Sequence, residues 1–287
     1  MNNLLLRSLT GLIYVALIVC SILFGGMWGF TALLALFAVL STMEFHSLCD
    51  SGHKVSRGLM MLDIAGSLIA VAAPAVFTTL SSHPSQGPIY AFAVIASAYL
   101  IYLIARLITQ LYITSGISPV TALGCSLSSQ LYIALPLACA SMIYILSSPA
   151  MALTMFVMIW LNDTGAFCVG SLIGRRRLFE RISPKKSWEG FFGGMAFCII
   201  CAIVISCLIA DATAAMSTAS LIAYAITACI FATWGDLVES LLKRTLHVKD
   251  SGKLLPGHGG ILDRIDSLLL VAPATLVFLA ILMIIHT

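Results

Sequence analysis

The chain has 287 residues, 60% of them hydrophobic and only 9% charged. A soluble globular domain is about a quarter charged, so that class is excluded. The net charge is only +3, and no nucleic-acid partner is expected.

Apolar runs of about 20 residues recur along the chain, which points to a polytopic membrane protein. Their residues are continuously apolar rather than alternating, which excludes a membrane barrel and leaves helices. Nine spans are predicted, at 9–25, 27–42, 59–80, 89–112, 122–147, 151–173, 190–210, 216–241 and 266–286. The fold class is therefore all-α, a single membrane domain over 1–287. Within it, 1–150 is a helical part without a motif, and 151–287 carries the chemistry.

In the first span, Arg7 precedes an apolar run and imitates a signal peptide. No A-x-A site follows, so an uncleaved helix is expected. The nine Cys residues are scattered; the Cys198/Cys201 pair lies mid-span and reads as small apolar packing.

Lys and Arg collect on the cytoplasmic side of a membrane. Fourteen of the fifteen fall in segments 1–8, 43–58, 174–189 and 242–265, all on one side if the chain alternates through nine spans. The N-terminus and both charge-rich connections are then cytoplasmic. The remaining one, Arg106, lies near the inner end of the fourth span and is expected to snorkel to the interface.

Only three acids, Glu44, Asp50 and Asp63, precede residue 151; the other nine follow it. Asp163 sits about 12 residues before the basic connection, or about 18 Å deep in a helix. Asp236 and Glu239 share one helix face by their i, i+3 spacing, with Ser240 and Lys243 on the same side. Asp263 and Asp266 repeat that spacing at the start of the last span. A charge in the bilayer costs at least about 2.5–3.5 kcal/mol, so intramembrane acids mark a functional site by default. Salt bridges between helices are the plain alternative for any one of them, but a weaker one for all five. Clustered carboxylates suit a hard cation such as Mg²⁺, which takes one or two of them plus substrate phosphates.

The complement lies in the two basic connections. RISPKKSWEGFFGG offers Lys185 and Lys186 before a helix start, SLLKRTLHVKD offers Lys243, Arg244 and Lys249, and PGHGG offers backbone N–H groups to an anion. Positive-inside topology explains the sign of this charge but not the interleaved acids. Acids for metal, bases for phosphate and glycines for close approach together describe a nucleotide or polyphosphate site. Gly170/Gly174 and Gly190/Gly194 have the spacing that packs helices, within a chain or between two copies of a homodimer.

SLLKRTLHVKDSGKLLPGHGGILDRIDS (240–267), with NDTGAF (162–167) and SPKKSWEG (183–190) upstream, resembles the phosphatidate cytidylyltransferase family, also called CDP-diacylglycerol synthases. The resemblance covers 150–287 by motif. It implies that CTP and phosphatidate, drawn from the inner leaflet, give CDP-diacylglycerol and pyrophosphate. It implies Mg²⁺, with room for a second cation, held by Asp236 and Asp263 first and then Asp266 and Asp163. Lys185, Lys186, Lys243, Arg244, Lys249 and Arg264 would hold phosphates. Ser240, Asp250 and the turn Gly257, His258, Gly259 and Gly260 would complete substrate binding. It places the protein in a bacterial cytoplasmic membrane, with its site facing the cytoplasm.

The nearest alternative is a CTP-dependent polyprenol or lipid-alcohol kinase, and the full KD–PGHGG–DR–DS run disfavours it. A cation-coupled transporter would need acids near the midplane reachable from both sides. Here they crowd one side, and no internal repeat is visible.

Overall fold

The computed structural model describes residues 3–49, 56–82, 87–113, 118–208, 216–252 and 259–286. Eight of its helical segments are long and apolar enough to cross a membrane, and α1 (Asn3–Phe24) adds a shorter apolar stretch, Ser8–Phe24. The protein is an all-helical integral membrane protein, with one small hairpin among the described residues. Nine spans are expected from the sequence, and eight such segments are found among the described residues. The described residues group into two compact units, one formed by 1–146 and 248–264, the other by 147–247 and 265–287.

The first unit holds α1, α2 (Gly26–Cys49), α3 (Arg57–Ser81), α4 (Gly87–Tyr112), α5 (Pro119–Ser129) and α6 (Leu135–Leu146). α2 turns a stripe of Phe30, Leu34, Phe37, Ser41 and Phe45 inward at helical spacing. α4 turns a broad apolar face outward, with Phe92, Leu100, Ile104 and Leu107 exposed. One π turn, Gln130–Ala134, joins α5 to α6. It sets Gln130 so that Nε2 donates to Asp63 O at 2.9 Å and Ser67 Oγ at 3.1 Å.

That amide belongs to a buried polar cluster. Asp63, fully buried in α3, accepts from Tyr102 Oη and Ser126 Oγ and lies 3.3 Å from Arg106 Nε and 3.0 Å from His46 Nε2. Arg106 therefore does not snorkel. It is 3% exposed and also donates to Ser126 Oγ, Gln110 Oε1 and Ala122 O at 2.7, 2.9 and 3.1 Å. A carboxylate inside the unit satisfies it better than the interface does.

The second unit holds α7 (Pro149–Ile173), a two-stranded antiparallel hairpin of β1 (Arg177–Phe179) and β2 (Ser183–Ser187), α8 (Trp188–Leu208), α9 (Thr218–Thr245) and α11 (Leu268–His286). β1 is only three residues, Arg177, Leu178 and Phe179, and β2 is polar and basic, so no apolar alternation announces the hairpin. Glu189 ties it to α8 by accepting the N–H groups of Arg175 and Arg176 at 3.0–3.2 Å. α7 and α8 pack through glycines: a Cβ at Gly190 would stand 2.8 Å from Ala166 O and 3.3 Å from Gly170 Cα. These glycines thus pack helices within the chain.

The last span is not continuous. A single turn, α10 (Leu262–Ile265), precedes a break at Asp266–Ser267, after which α11 begins. Asp263 and Asp266 therefore do not share a face of one helix. Asp263 packs with the first unit and Asp266 with the second.

Candidate active site

In the second unit a cavity of about 520 Å³ opens between α7, the hairpin, α8 and α9. Its wall includes Asn162 and Asp163 from α7, Arg177 from β1, Lys185 and Lys186 from β2, and Thr233 and Asp236 from α9. Local sequence explains each placement. The hairpin brings the KK pair back over α7 because β2 runs straight into α8. Ser187 caps that helix, its Oγ accepting the Gly190 N–H at 3.1 Å. α9 is 28 residues long, about 42 Å, against about 30 Å of hydrocarbon, so its charged last turns reach the membrane boundary.

The centre of the cavity is an ion pair. Lys186 Nζ lies 2.7 Å from Asp236 Oδ2 and donates to Thr233 O at 3.2 Å. Its side chain is 25% exposed and that of Asp236 34%, so both still meet solvent. Asp236 Oδ1 accepts the Ser240 hydroxyl at 3.2 Å. Asp266 lies within electrostatic reach of Asp236, Asp163 and Lys186. Its place depends on Gly235: a Cβ there would stand 2.6 Å from Asp266 O and 2.9 Å from Ser267 Cα. The break after α10 can approach α9 only because residue 235 has no side chain.

Asp163 and Asp236 are thus brought together with Lys185 and Lys186 on the wall, and Asp266 lies within electrostatic reach of Asp163, Asp236 and Lys186. Other candidates have different neighbours. Lys243 Nζ is held 2.9 Å from Glu239 Oε2, a carboxylate 1% exposed. Arg244 Nε donates to Ile182 O at 3.4 Å and braces the hairpin turn. Neither lines the cavity. Asn162 was not singled out by its charge, yet it is 2% exposed, lines the cavity, and its Oδ1 has no hydrogen-bond partner. Its only sequence signal was its place beside Asp163 in NDTGAF.

In the first unit, Asp263 Oδ2 accepts the N–H groups of Ser251 at 2.9 Å and Gly260 at 2.8 Å. Arg264, Lys249 and Asp250 are exposed, and Gly259 is half-buried. Gly257 and His258 lie outside the described residues. Glu44, in α2, has the contact that sequence reasoning missed: it accepts hydrogen bonds from the same segment. No motif surrounds it.

Among the described residues no group of three or more His, Cys, Asp or Glu side chains is set to enclose a metal by itself. Asp163 and Asp236 line the cavity with Lys185 and Lys186, and Asp266 lies within electrostatic reach of Asp163 and Asp236.

The model of the cytidylyltransferase family matches residues 5–282. Among curated relatives, the phosphatidate cytidylyltransferase of Staphylococcus epidermidis is 46% identical over 118 residues, 41% of this chain and 44% of the relative. The protein of that name from Bacillus subtilis is 45% identical over 117 residues, 41% of this chain and 42% of the relative. That from Staphylococcus aureus is 44% identical over 118 residues, again 41% and 44%. The chain spans less than half the length of these curated relatives.

Proposed function

The chain belongs to the cytidylyltransferase family, and on that premise we propose that it joins CTP to phosphatidate, giving CDP-diacylglycerol and pyrophosphate. The observation that carries this reading is the Lys186–Asp236 pair at 2.7 Å in a cavity that also presents Lys185, Arg177 and Asp163. A wall of interleaved bases and acids suits a polyphosphate and its cation.

In the reaction, an oxygen of the phosphatidate phosphate forms a bond to the α-phosphorus of CTP. The bond between that phosphorus and the α,β-bridging oxygen breaks, and pyrophosphate leaves with its electron pair. The nucleophile is already ionised at neutral pH, so no strong general base is needed. The work of the chain is to position two anions and offset their charge. Lys186 is pre-placed for a phosphate oxygen, and its bond to Thr233 O limits where the ammonium can go. Lys185 and Arg177 add positive charge on the same wall. Asn162 offers an unpaired carbonyl oxygen to a donor group on the substrate.

Mg²⁺ fits this donor set, because it prefers oxygen and takes one or two carboxylates with the rest from phosphates and water. One or two of Asp236, Asp266 and Asp163 would hold it, and it would neutralise phosphate charge and orient the reacting oxygens. The roles of Asp263, Arg264, Lys249, Asp250 and the PGHGG turn rest on the sequence signature. We assign the N-terminus and the charged connections to the cytoplasmic side of a bacterial membrane, on the distribution of Lys and Arg. CTP would reach the site from water and phosphatidate from the inner leaflet.

The test is product identity. Purified protein with Mg²⁺, labelled CTP and phosphatidate is expected to yield a CDP-lipid and pyrophosphate. Release of CDP from CTP with phosphorylation of an added lipid alcohol, and no CDP-lipid, would instead make the protein a lipid kinase.

A further inference from the structure

Glu44 belongs to α2, in the half of the chain without a motif, yet its partners lie at the other end of the sequence. Oε1 accepts the N–H of Ile261 at 2.9 Å, 217 residues away. Oε2 accepts the N–H of Leu262 at 2.9 Å and the hydroxyl of Ser251 at 3.1 Å. Asp263 binds the same segment from within: Oδ2 accepts the N–H groups of Ser251 and Gly260. Ser251 thus donates its amide to one carboxylate and its hydroxyl to the other. The two ends of the connection, at 251 and at 260–262, are held to each other through these two acids.

The backbone is shaped around Glu44. A Cβ at Gly252 would stand 2.7 Å from Glu44 Oε1, and one at Gly260 would collide with Glu44 Oε2. Gly259 adopts φ +81°, a conformation open to glycine and costly for other residues. The glycines of this connection therefore let main-chain N–H groups close on an internal carboxylate. A plain anchor would be satisfied by one such bond. Three bonds, on both oxygens, fix Ser251 relative to Ile261 and Leu262.

We propose that Glu44 is a positioning residue that sets the backbone at the two described ends of this connection, 251–252 and 259–262, and, through them, the affinity for CTP. The second half of this statement rests on the reading that the connection binds the nucleotide's phosphates. Glu44 itself touches no substrate. It holds the amides and hydroxyl that fix where Lys249, Asp250 and Gly259 stand along the chain.

Glu44→Gln keeps the shape but turns one acceptor oxygen into a donor, which faces Leu262 N–H and the Ser251 hydroxyl or Ile261 N–H. In substrate-free protein, amide exchange over 259–262 should accelerate at least about tenfold, with α3 and α4 unchanged. With phosphatidate fixed, KM for CTP should rise at least about tenfold, while KM for phosphatidate stays within about twofold. Ser251→Ala removes one bond, so a smaller rise in KM for CTP is expected, and the double variant should be no worse than Glu44→Gln. If Glu44→Gln does not fold, Ser251→Ala carries the same comparison. A lower thermal midpoint with an unchanged KM for CTP would reduce Glu44 to a structural residue and overturn the proposal. So would unchanged exchange over 259–262. If the wild type transfers no cytidylyl group, the functional reading fails instead, and the exchange result alone decides the clamp: acceleration sustains it and no change overturns it.

Discussion

At Lys186 a single ammonium meets a carboxylate at 2.7 Å and a carbonyl at 3.2 Å on a cavity wall. If its charge served topology alone, Arg would replace it without loss. Lys is a compact point charge, whereas Arg is a wide planar fork, so a phosphate contact made by Lys is not reproduced. Lys186→Arg is expected to lower kcat/KM for CTP at least about tenfold, or about 1.4 kcal/mol of transition-state binding. Steady-state kinetics in detergent, with CTP varied, checks this; unchanged kcat/KM in inserted protein would return Lys186 to a topological role. Asp63 makes the opposite kind of prediction. Asp63→Asn leaves Arg106 buried without its counter-charge, and breaking one side of a buried pair costs about 3–5 kcal/mol. Thermal unfolding in detergent should show a large loss of stability, with no selective change in KM for CTP.

Between elements, the decisive contacts are those where a helix meets another backbone with no side chain between them. α9 accepts the Asp266–Ser267 break at Gly235, where an added Cβ would meet main-chain atoms rather than a flexible tip. Overpacking of this kind costs about 1–3 kcal/mol. Gly235→Ala should therefore lower the thermal midpoint and shift Asp266 away from Asp236, reducing turnover. Gly124→Ala, at a helical glycine with nothing within 4 Å of the added Cβ, is the matched control and should be silent. Equal behaviour of the two variants would refute the close-approach argument. The hairpin shows the same dependence on local detail. Its strands place Lys185 and Lys186, and they are held by Glu189 and Arg244 rather than by an apolar face.

For the whole molecule, the proposed orientation in the membrane rests on where the cations fall. Cys placed at the exposed Glu180 or Thr245, in a background without native Cys, should react with an impermeant thiol reagent only from the cytoplasmic side. Cys at the exposed Ser82 should react only from the opposite side. The reverse pattern would overturn the orientation. Ser187 and Ser251 are poor reporters, since both are 5% exposed and their hydroxyls are engaged.

Hydropathy is a property of neighbouring residues, and lipid leaves a backbone no choice but to satisfy itself, so the sequence alone determined a helical membrane protein. It also determined the set of polar groups available for chemistry, because each of NDTGAF, SPKKSWEG and the 240–267 run is conspicuous against an apolar background. Pairing is a property of distance in space, which one-dimensional pattern does not carry. Only the tertiary structure decided that Lys186 meets Asp236 and that Arg106 turns inward to Asp63. It broke the last span at Asp266–Ser267, where Gly235 admits a close backbone approach. It also gave Glu44, an ordinary acid near the end of an apolar helix, a partner segment more than two hundred residues away. No local signal marks such a residue, since its hydrogen bonds exist only once the chain has closed on itself.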